Sequence, residues 1–270
     1  MAPRSIIRTT TNHNSQEHAA RVLSEKLSEL SIPHAYIGGF AWRLLGSERQ
    51  TEINVLIKTP SDTLDLQMLR EKMAEFDERF TDAALKFYFV EDLDAFSEDP
   101  EKRTGIELLS RSKSNVLIET LSAGTLGLPD SVDLVYNVPS TFSTDLTIPI
   151  LHPSILIFSK LQRWCLSLES TRPKTLRKAI TDSQDIDYLI AWLSKNGMLI
   201  AFDDYEAKKA PKEKLLHHVR MYRERKESEE DRDIVIQLED VLNEADRAMV
   251  LAPVTVAADS ELDKKNDEIM

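Results

Sequence analysis

The hydrophobic pattern begins with helical spacing. Over residues 16–30, apolar side chains recur every three or four positions, with charged residues on the other side; the apolar positions are Ala19, Val22, Leu23, Leu27 and Leu30. Pro33 ends this helix. Residues 34–37 then predict a short strand that stops at the glycine pair Gly38-Gly39. The chain therefore opens with a helix, a strand and a turn.

Helices and strands alternate after this turn. Helices are predicted over 40–45 and 64–80, and strands over 52–58, 84–90, 105–110 and 115–121, with an acidic loop over 91–101. In the strand over 52–58, Ile53, Val55 and Ile57 share one face, and Glu52, Asn54 and Leu56 lie on the other. This order predicts an α+β fold, a mixed sheet flanked by helices.

The second half of the chain is predicted to be helical. The helices span 153–168, 182–195, 203–225 and 233–249, with Asp182 expected to cap the second of them and Asp185 to lie in its first turn. The pattern thus divides the chain into a flexible N-terminus (1–14), an α/β domain (15–148), a helical C-terminal domain (149–252) and a disordered acidic tail (253–270).

Composition and charge narrow the function classes. The chain has 270 residues, 41% hydrophobic and 30% charged, with a net charge of −12, which disfavours broad binding to DNA or RNA. Cys165 is the only cysteine, so no intramolecular disulfide forms. A reducing compartment is therefore expected, which is the cytoplasm or, as the open alternative, the nucleus. The longest apolar stretch is much shorter than the ~20 residues of a membrane-spanning helix, so no membrane association is expected.

The glycine pair marks the candidate chemistry. Two glycines between a strand and a helix let the backbone approach a ligand, and they direct the first N–H groups of the helix at an anion. The next strand carries Glu52 and Asn54, whose oxygens lie two positions apart as in a Mg²⁺ site beside a triphosphate. The glycine pair is equally typical of a plain tight turn. Glu52 and Asn54 are also typical of the solvent-exposed face of a strand.

Motifs in three separate places resemble one known family. The first is Gly38-Gly39-x-Ala41-x-x-Leu44-x-Gly46-x-x-Arg49-x-Thr51, the second is Glu119 within the strand over 115–121, and the third is the Pro-led helix with Lys160, followed by Asp182-x-x-Asp185-Ile186. In this order they resemble the nucleotidyltransferase fold superfamily. The resemblance is greatest to small stand-alone members of the antitoxin-associated and kanamycin types, which include uncharacterised fungal proteins.

The resemblance implies Mg²⁺-dependent transfer of a nucleoside monophosphate from a nucleoside triphosphate to an acceptor, which is a small molecule, a protein or an RNA end. The implied roles are phosphate binding by Gly38 and Gly39, Mg²⁺ binding by Glu52, Asn54 and Glu119, proton acceptance by Glu119, and neutralisation of the triphosphate charge by Lys160 and Arg49. Residue by residue, Glu119 is equally compatible with a solvent-facing strand position, and Lys160 with an amphipathic helix surface.

One departure from the family pattern leaves a second function open. The family carries Asp-x-Asp where this chain has Glu52-Ile53-Asn54. Glutamate is longer than aspartate, and asparagine removes a negative charge from a site that concentrates charge around Mg²⁺. The alternative is therefore a degenerate member, or pseudoenzyme, that binds a nucleotide or a protein partner without turnover.

Overall fold

A computed structural model describes residues 7–59, 64–83, 86–91, 105–141 and 146–252. The helices are α1 (His13–Glu29), α2 (Gly38–Leu44), α3 (Leu66–Phe76), α4 (Gly105–Arg111), α5 (Pro153–Ser167), α6 (Pro173–Lys195), α7 (Lys212–Ser228), α8 (Arg232–Asp240) and α9 (Glu244–Leu251), with a 3₁₀ turn at Phe202–Asp204. The strands are β1 (His34–Ile37), β2 (Ile53–Ile57), β3 (Phe80–Ala83), β4 (Lys86–Val90), β5 (Asn115–Ser122), β6 (Val135–Pro139) and β7 (Thr147–Leu151).

The strands form one mixed seven-stranded sheet in the order β3-β4-β5-β2-β1-β7-β6. β2 runs parallel to β5 and antiparallel to β1, so the end of β1 meets the start of β2. Consecutive residues Val55, Leu56 and Ile57 of β2 are all buried, which shows that both faces of the sheet are covered at its centre. The expected α+β class, with a mixed sheet flanked by helices and a helical region after it, is confirmed.

Helix α1 packs its apolar stripe into the same core as the sheet. Ala19, Leu23 and Leu27 are almost completely buried there, as their spacing predicts. The Asn12 side chain caps this helix by accepting a hydrogen bond from the N–H of Ser15. After the sheet, α5 contacts both α6 and α7, and apolar residues of these helices join the sheet residues in one hydrophobic cluster.

The strand predicted over 105–110 is wrong, because these residues form helix α4. Leu108 and Leu109 are adjacent and both buried against a small cluster beside β3 and β4. Neighbouring positions of a strand face opposite sides of the sheet, whereas a helix can turn both toward one cluster. The predicted helix over 64–80 is too long, since α3 ends at Phe76 and Phe80 already begins β3.

The C-terminal helices differ in their bounds from the prediction. Helix α6 begins at Pro173, so Asp182 and Asp185 lie in its middle, and the predicted helix cap is wrong. Proline suits the first turn of a helix, which explains the earlier start. The helix predicted over 233–249 is two helices, because the side chain of Asn243 caps a new helix at the N–H of Asp246.

The sequence pattern did not predict β6 and β7, the two strands at one edge of the sheet. β7 contains Pro149, which lacks an N–H, and β6 has only one buried residue, Val138. The predicted boundary at 148/149 falls inside β7, which pairs with both β1 and β6. The predicted tail over 253–270 and most of the acidic loop over 91–101 lie outside the described residues.

The predicted flexible N-terminus lies only partly within the described residues, which begin at position 7. Thr9 bridges to Asn115 of β5, and the side chain of Asn115 donates hydrogen bonds to the carbonyls of Arg8 and Leu109. Within the ranges given above, no helix combines the length and the apolar content needed to cross a membrane.

Candidate functional site

The turn between β1 and α2 brings backbone against a side chain of β2. Gly38 has φ +63°, a conformation that favours glycine, and Ile37 before it pairs in register with Asn54. A Cβ built on Gly38 would lie 2.9 Å from Oδ1 of Asn54, and one built on Gly39 would lie 2.8 Å from Cβ of Thr51. Both glycines are therefore required by close approach of the chain that follows.

Asn54 and Glu119 lie side by side across two parallel strands. They are direct partners in the register of β2 and β5, so their side chains project from the same face of the sheet. The amide Nδ2 of Asn54 donates a hydrogen bond to Oε2 of Glu119. The structure thus brings together Gly38, Asn54 and Glu119, three of the residues that the sequence singled out.

Glu52 lies two residues before Asn54, immediately ahead of β2. It is exposed. Burial, and then the charge of Glu52, raise the pKa of Tyr88 on β4, which places the carboxylate near that strand. Among the described residues, no three histidine, cysteine, aspartate or glutamate side chains are grouped so that they could hold a metal ion.

Lys160 is a buried residue of α5 rather than an exposed phosphate ligand. Its Nζ lies 2.7 Å from Oδ2 of Asp185 and 3.3 Å from Oδ1 of Asp182, and 5.3 Å from the ring centroid of Trp42. Only 4% of its side chain is exposed, and this burial is the main reason why the pKa of Lys160 falls to about 7. The lysine therefore lies beneath the surface.

Two arginines bind the same two aspartates as this lysine. Arg49 donates to Oδ2 of Asp185, and Arg163 of α5 donates through Nε and Nη2 to the two carboxylate oxygens of Asp182. The hydrogen bonds to Asp182, and then the charges of Asp182 and Glu119, raise the pKa of Arg163 against the opposing effect of burial. Sequence reasoning named Arg49 and missed Arg163. Arg163 lies three residues after Lys160, on the same side of a helix. This spacing could have identified Arg163 from the sequence as a neighbour of Lys160.

Gln16 of α1 is a second residue that the sequence did not reveal. It is completely buried, although its helix pattern only marks it as polar. Its Nε2 donates to the carbonyl of Thr51, and its Oε1 accepts from Nη1 of Arg43, 2.9 Å away. Gln16 therefore fixes the segment that leads into β2 against the helix that follows the glycine turn.

Comparison with known proteins bears on the fold. No protein-family model matches the chain, and no curated protein matches it. The chain is similar to the solved structure of an antigenic nucleotidyltransferase-like protein from Paracoccidioides brasiliensis, with 14% identity, a TM-score of 0.57, and coverage of 85% of this chain and 94% of that one. The chain therefore has a nucleotidyltransferase-like fold, as the three motifs predict.

Proposed function

We propose that this protein binds a nucleoside triphosphate on its nucleotidyltransferase-like fold without metal-dependent transfer. The observation that carries the proposal is the hydrogen bond from the Asn54 amide to Glu119. In a metal site, the oxygens of these two positions would both point at a cation between them. Here Asn54 turns an N–H group, and not an oxygen, toward the carboxylate of Glu119.

The donor set does not fit the pair of ions that two-metal transfer requires. Glu119 supplies one carboxylate, Asn54 a neutral amide whose oxygen faces Gly38, and Glu52 an exposed carboxylate outside β2. Two-metal sites rest on several carboxylates that concentrate negative charge at one point.

The glycine turn supports binding of a phosphate group. Helix α2 starts at Gly38, and no side chain of the described residues caps it at Ile37. The first N–H groups of a helix lack partners within the helix and attract anions.

The second candidate is retained Mg²⁺-dependent transfer of a nucleoside monophosphate to an acceptor: a small molecule, a protein or an RNA end. It is favoured by one observation, the in-register placement of Asn54 and Glu119 directly beside Gly38. In this candidate, Glu119 would accept the proton of the acceptor hydroxyl. The same placement is also compatible with the first proposal. The first proposal, unlike the second, explains why the side-chain amide of Asn54 donates a hydrogen bond to Glu119.

Thermal shift measurements with ATP, GTP, CTP and UTP, each with Mg²⁺ and with EDTA, separate the two candidates. We expect at least one nucleotide to raise the melting temperature equally in both conditions. Glu119→Gln is expected to bind that nucleotide without metal at least as well as the wild type, because it removes a negative charge near the phosphates. A shift that requires Mg²⁺ and is lost in Glu119→Gln supports transfer instead, and no shift with any nucleotide refutes both.

A further inference from the structure

The row of residues at the candidate site continues across the sheet onto β4. Asn54 of β2 contacts the glycine turn and pairs in register with Glu119 of β5. β4 runs antiparallel to β5, with Phe87 opposite Ile118. Continuing this register by one residue sets Lys86 opposite Glu119. Because direct partners on neighbouring strands project from the same face, Asn54, Glu119 and Lys86 form one row that starts at the glycine turn.

This row is the exposed part of its sheet face. Glu119 and Lys86 are exposed, and Asn54 is half-buried. On one side of the row, Tyr88 of β4 is only 4% exposed and belongs to the small apolar cluster that includes residues of α4. On the other side, Leu56 of β2 is completely buried in the main core. The row is therefore an open strip between two covered parts of the sheet.

Lys86 faces a carboxylate without pairing with it. Opposite charges at directly opposed strand positions ordinarily attract each other. Within the described ranges, however, Glu119 accepts a hydrogen bond from Asn54, and Lys86 makes neither an ion pair nor a side-chain hydrogen bond. An ammonium group carries three donors and no acceptor. All three donors of Lys86 can therefore meet a ligand that lies on the strip.

The order of charges along the strip fits a nucleotide that lies across the strands. The N–H groups at the start of α2 attract a phosphate tail, whereas the carboxylate of Glu119 repels it and accepts hydrogen bonds from hydroxyl groups. Neighbouring strands are about 4.8 Å apart, so the strip extends about 10 Å from Asn54 to Lys86. A nucleotide with its phosphates at the glycine turn would thus place its sugar over Glu119 and its base near Lys86.

We propose that Lys86 contacts the base of the bound nucleotide and selects bases with a carbonyl oxygen. The inference rests on the proposed function, since it names the class of nucleotide that the site takes. A lysine donates to O6 and N7 of guanine, and O4 of uracil is an acceptor too. Adenine and cytosine carry amino groups at the corresponding positions, and these donors face the lysine unfavourably. The ligand class is a nucleoside triphosphate with a 6-oxopurine or a 4-oxopyrimidine base.

Isothermal titration calorimetry in EDTA tests this contact with the triphosphates of inosine and adenosine, which differ in the 6-oxo and 6-amino groups. The free nucleosides and inorganic triphosphate are the further probes. The variants are Lys86→Met, Lys86→Arg and, as the matched control, Lys58→Met. Lys58 is an exposed lysine that directly follows β2, four residues beyond Asn54. Since Lys86 is exposed as well, we expect all three variants to fold.

We expect the wild type to bind inosine triphosphate about tenfold more tightly than adenosine triphosphate. Lys86→Met should lose this preference by weakening only the inosine compound. Lys86→Arg should keep most of the preference, because a guanidinium group also donates to O6 and N7. Lys58→Met should bind like the wild type, and inorganic triphosphate should bind the wild type and Lys86→Met equally.

Each failure has a distinct result. Triphosphates that bind without a preference for inosine, or with a preference that Lys86→Met retains, overturn the base contact and leave the proposed function standing. An equal loss of all triphosphates in Lys86→Met also overturns it, because the lysine would then contact phosphate. A preference for free inosine that depends on Lys86, without any binding of triphosphates, overturns the proposed function and supports the base contact. No binding of any probe by the wild type overturns both.

Discussion

The Cα of Gly38 lies directly against the side-chain amide of Asn54. A Cβ at this glycine would lie 2.9 Å from the amide oxygen, closer than carbon and oxygen normally approach. With its oxygen turned to the glycine, the amide directs its nitrogen to Glu119. The β1–α2 turn and the two central strands β2 and β5 thus meet at one asparagine.

Gly38→Ala should destabilise the protein more than Gly197→Ala. The two glycines have nearly equal φ angles, +63° and +62°, so both substitutions carry the left-handed strain of about 1 kcal/mol. Gly197 has no atom within 4 Å of its added Cβ, whereas Gly38 meets Asn54. Urea unfolding should show an additional loss of about 1–3 kcal/mol for Gly38→Ala. The additional loss should shrink in an Asn54→Ala background, and an equal loss in both backgrounds would contradict the contact.

Asn54→Asp should create a response to Mg²⁺ that the wild type lacks. An aspartate at this position faces Glu119 across the two strands, and two carboxylates repel each other without a cation. We expect a melting temperature below that of the wild type in EDTA, and a rise on addition of Mg²⁺. Asn137→Asp, on an exposed position of β6, is the control and should respond like the wild type. Equal Mg²⁺ responses of all three proteins would show that position 54 does not border a cation site.

Sequence patterns predicted those elements whose residues have one buried face. The apolar stripe of α1 is such an element and was found. β2 was also found, although Val55, Leu56 and Ile57 are buried on both faces of the sheet. β7 is buried but interrupted by Pro149, and β6 has one buried residue, so neither shows a period of two. In α4, two adjacent buried leucines resemble a short strand as closely as a helix.

The candidate site was predictable where neighbouring strands determine it. Asn54 and Glu119 could be expected to meet, because the family pattern assigns them to adjacent strands. The burial of Lys160 could not be predicted, since it depends on Asp182 and Asp185, whose positions were attributed to a helix start. Gln16 gives no signal at all, because its partners lie in distant segments.

Gln16→Met should destabilise the protein although it keeps the size of the side chain. The substitution removes a donor from the Thr51 carbonyl and an acceptor from Arg43 at a position where the glutamine is completely buried. We expect a loss of about 1–3 kcal/mol in urea unfolding. Gln67→Met on the exposed surface of α3 should change the free energy of unfolding by less than about 0.5 kcal/mol. A Gln16 variant as mild as this control would refute a structural role for the two hydrogen bonds.

Lys160 should make the stability of the protein rise with pH above neutrality. Burial lowers its pKa from 10.5 to about 7 in the folded protein. Between these values the unfolded chain holds the proton and the folded chain does not, so raising the pH favours the folded state. Below about pH 7 both states are protonated, and this group adds no pH dependence. When the lysine is neutral, Asp182 keeps Arg163 and Asp185 keeps Arg49, so no carboxylate is left without a partner.

Lys160→Met removes the titrating group. The difference in unfolding free energy between wild type and this variant should therefore move in favour of the wild type from pH 7 to pH 10, and a constant difference would mean that Lys160 stays charged throughout.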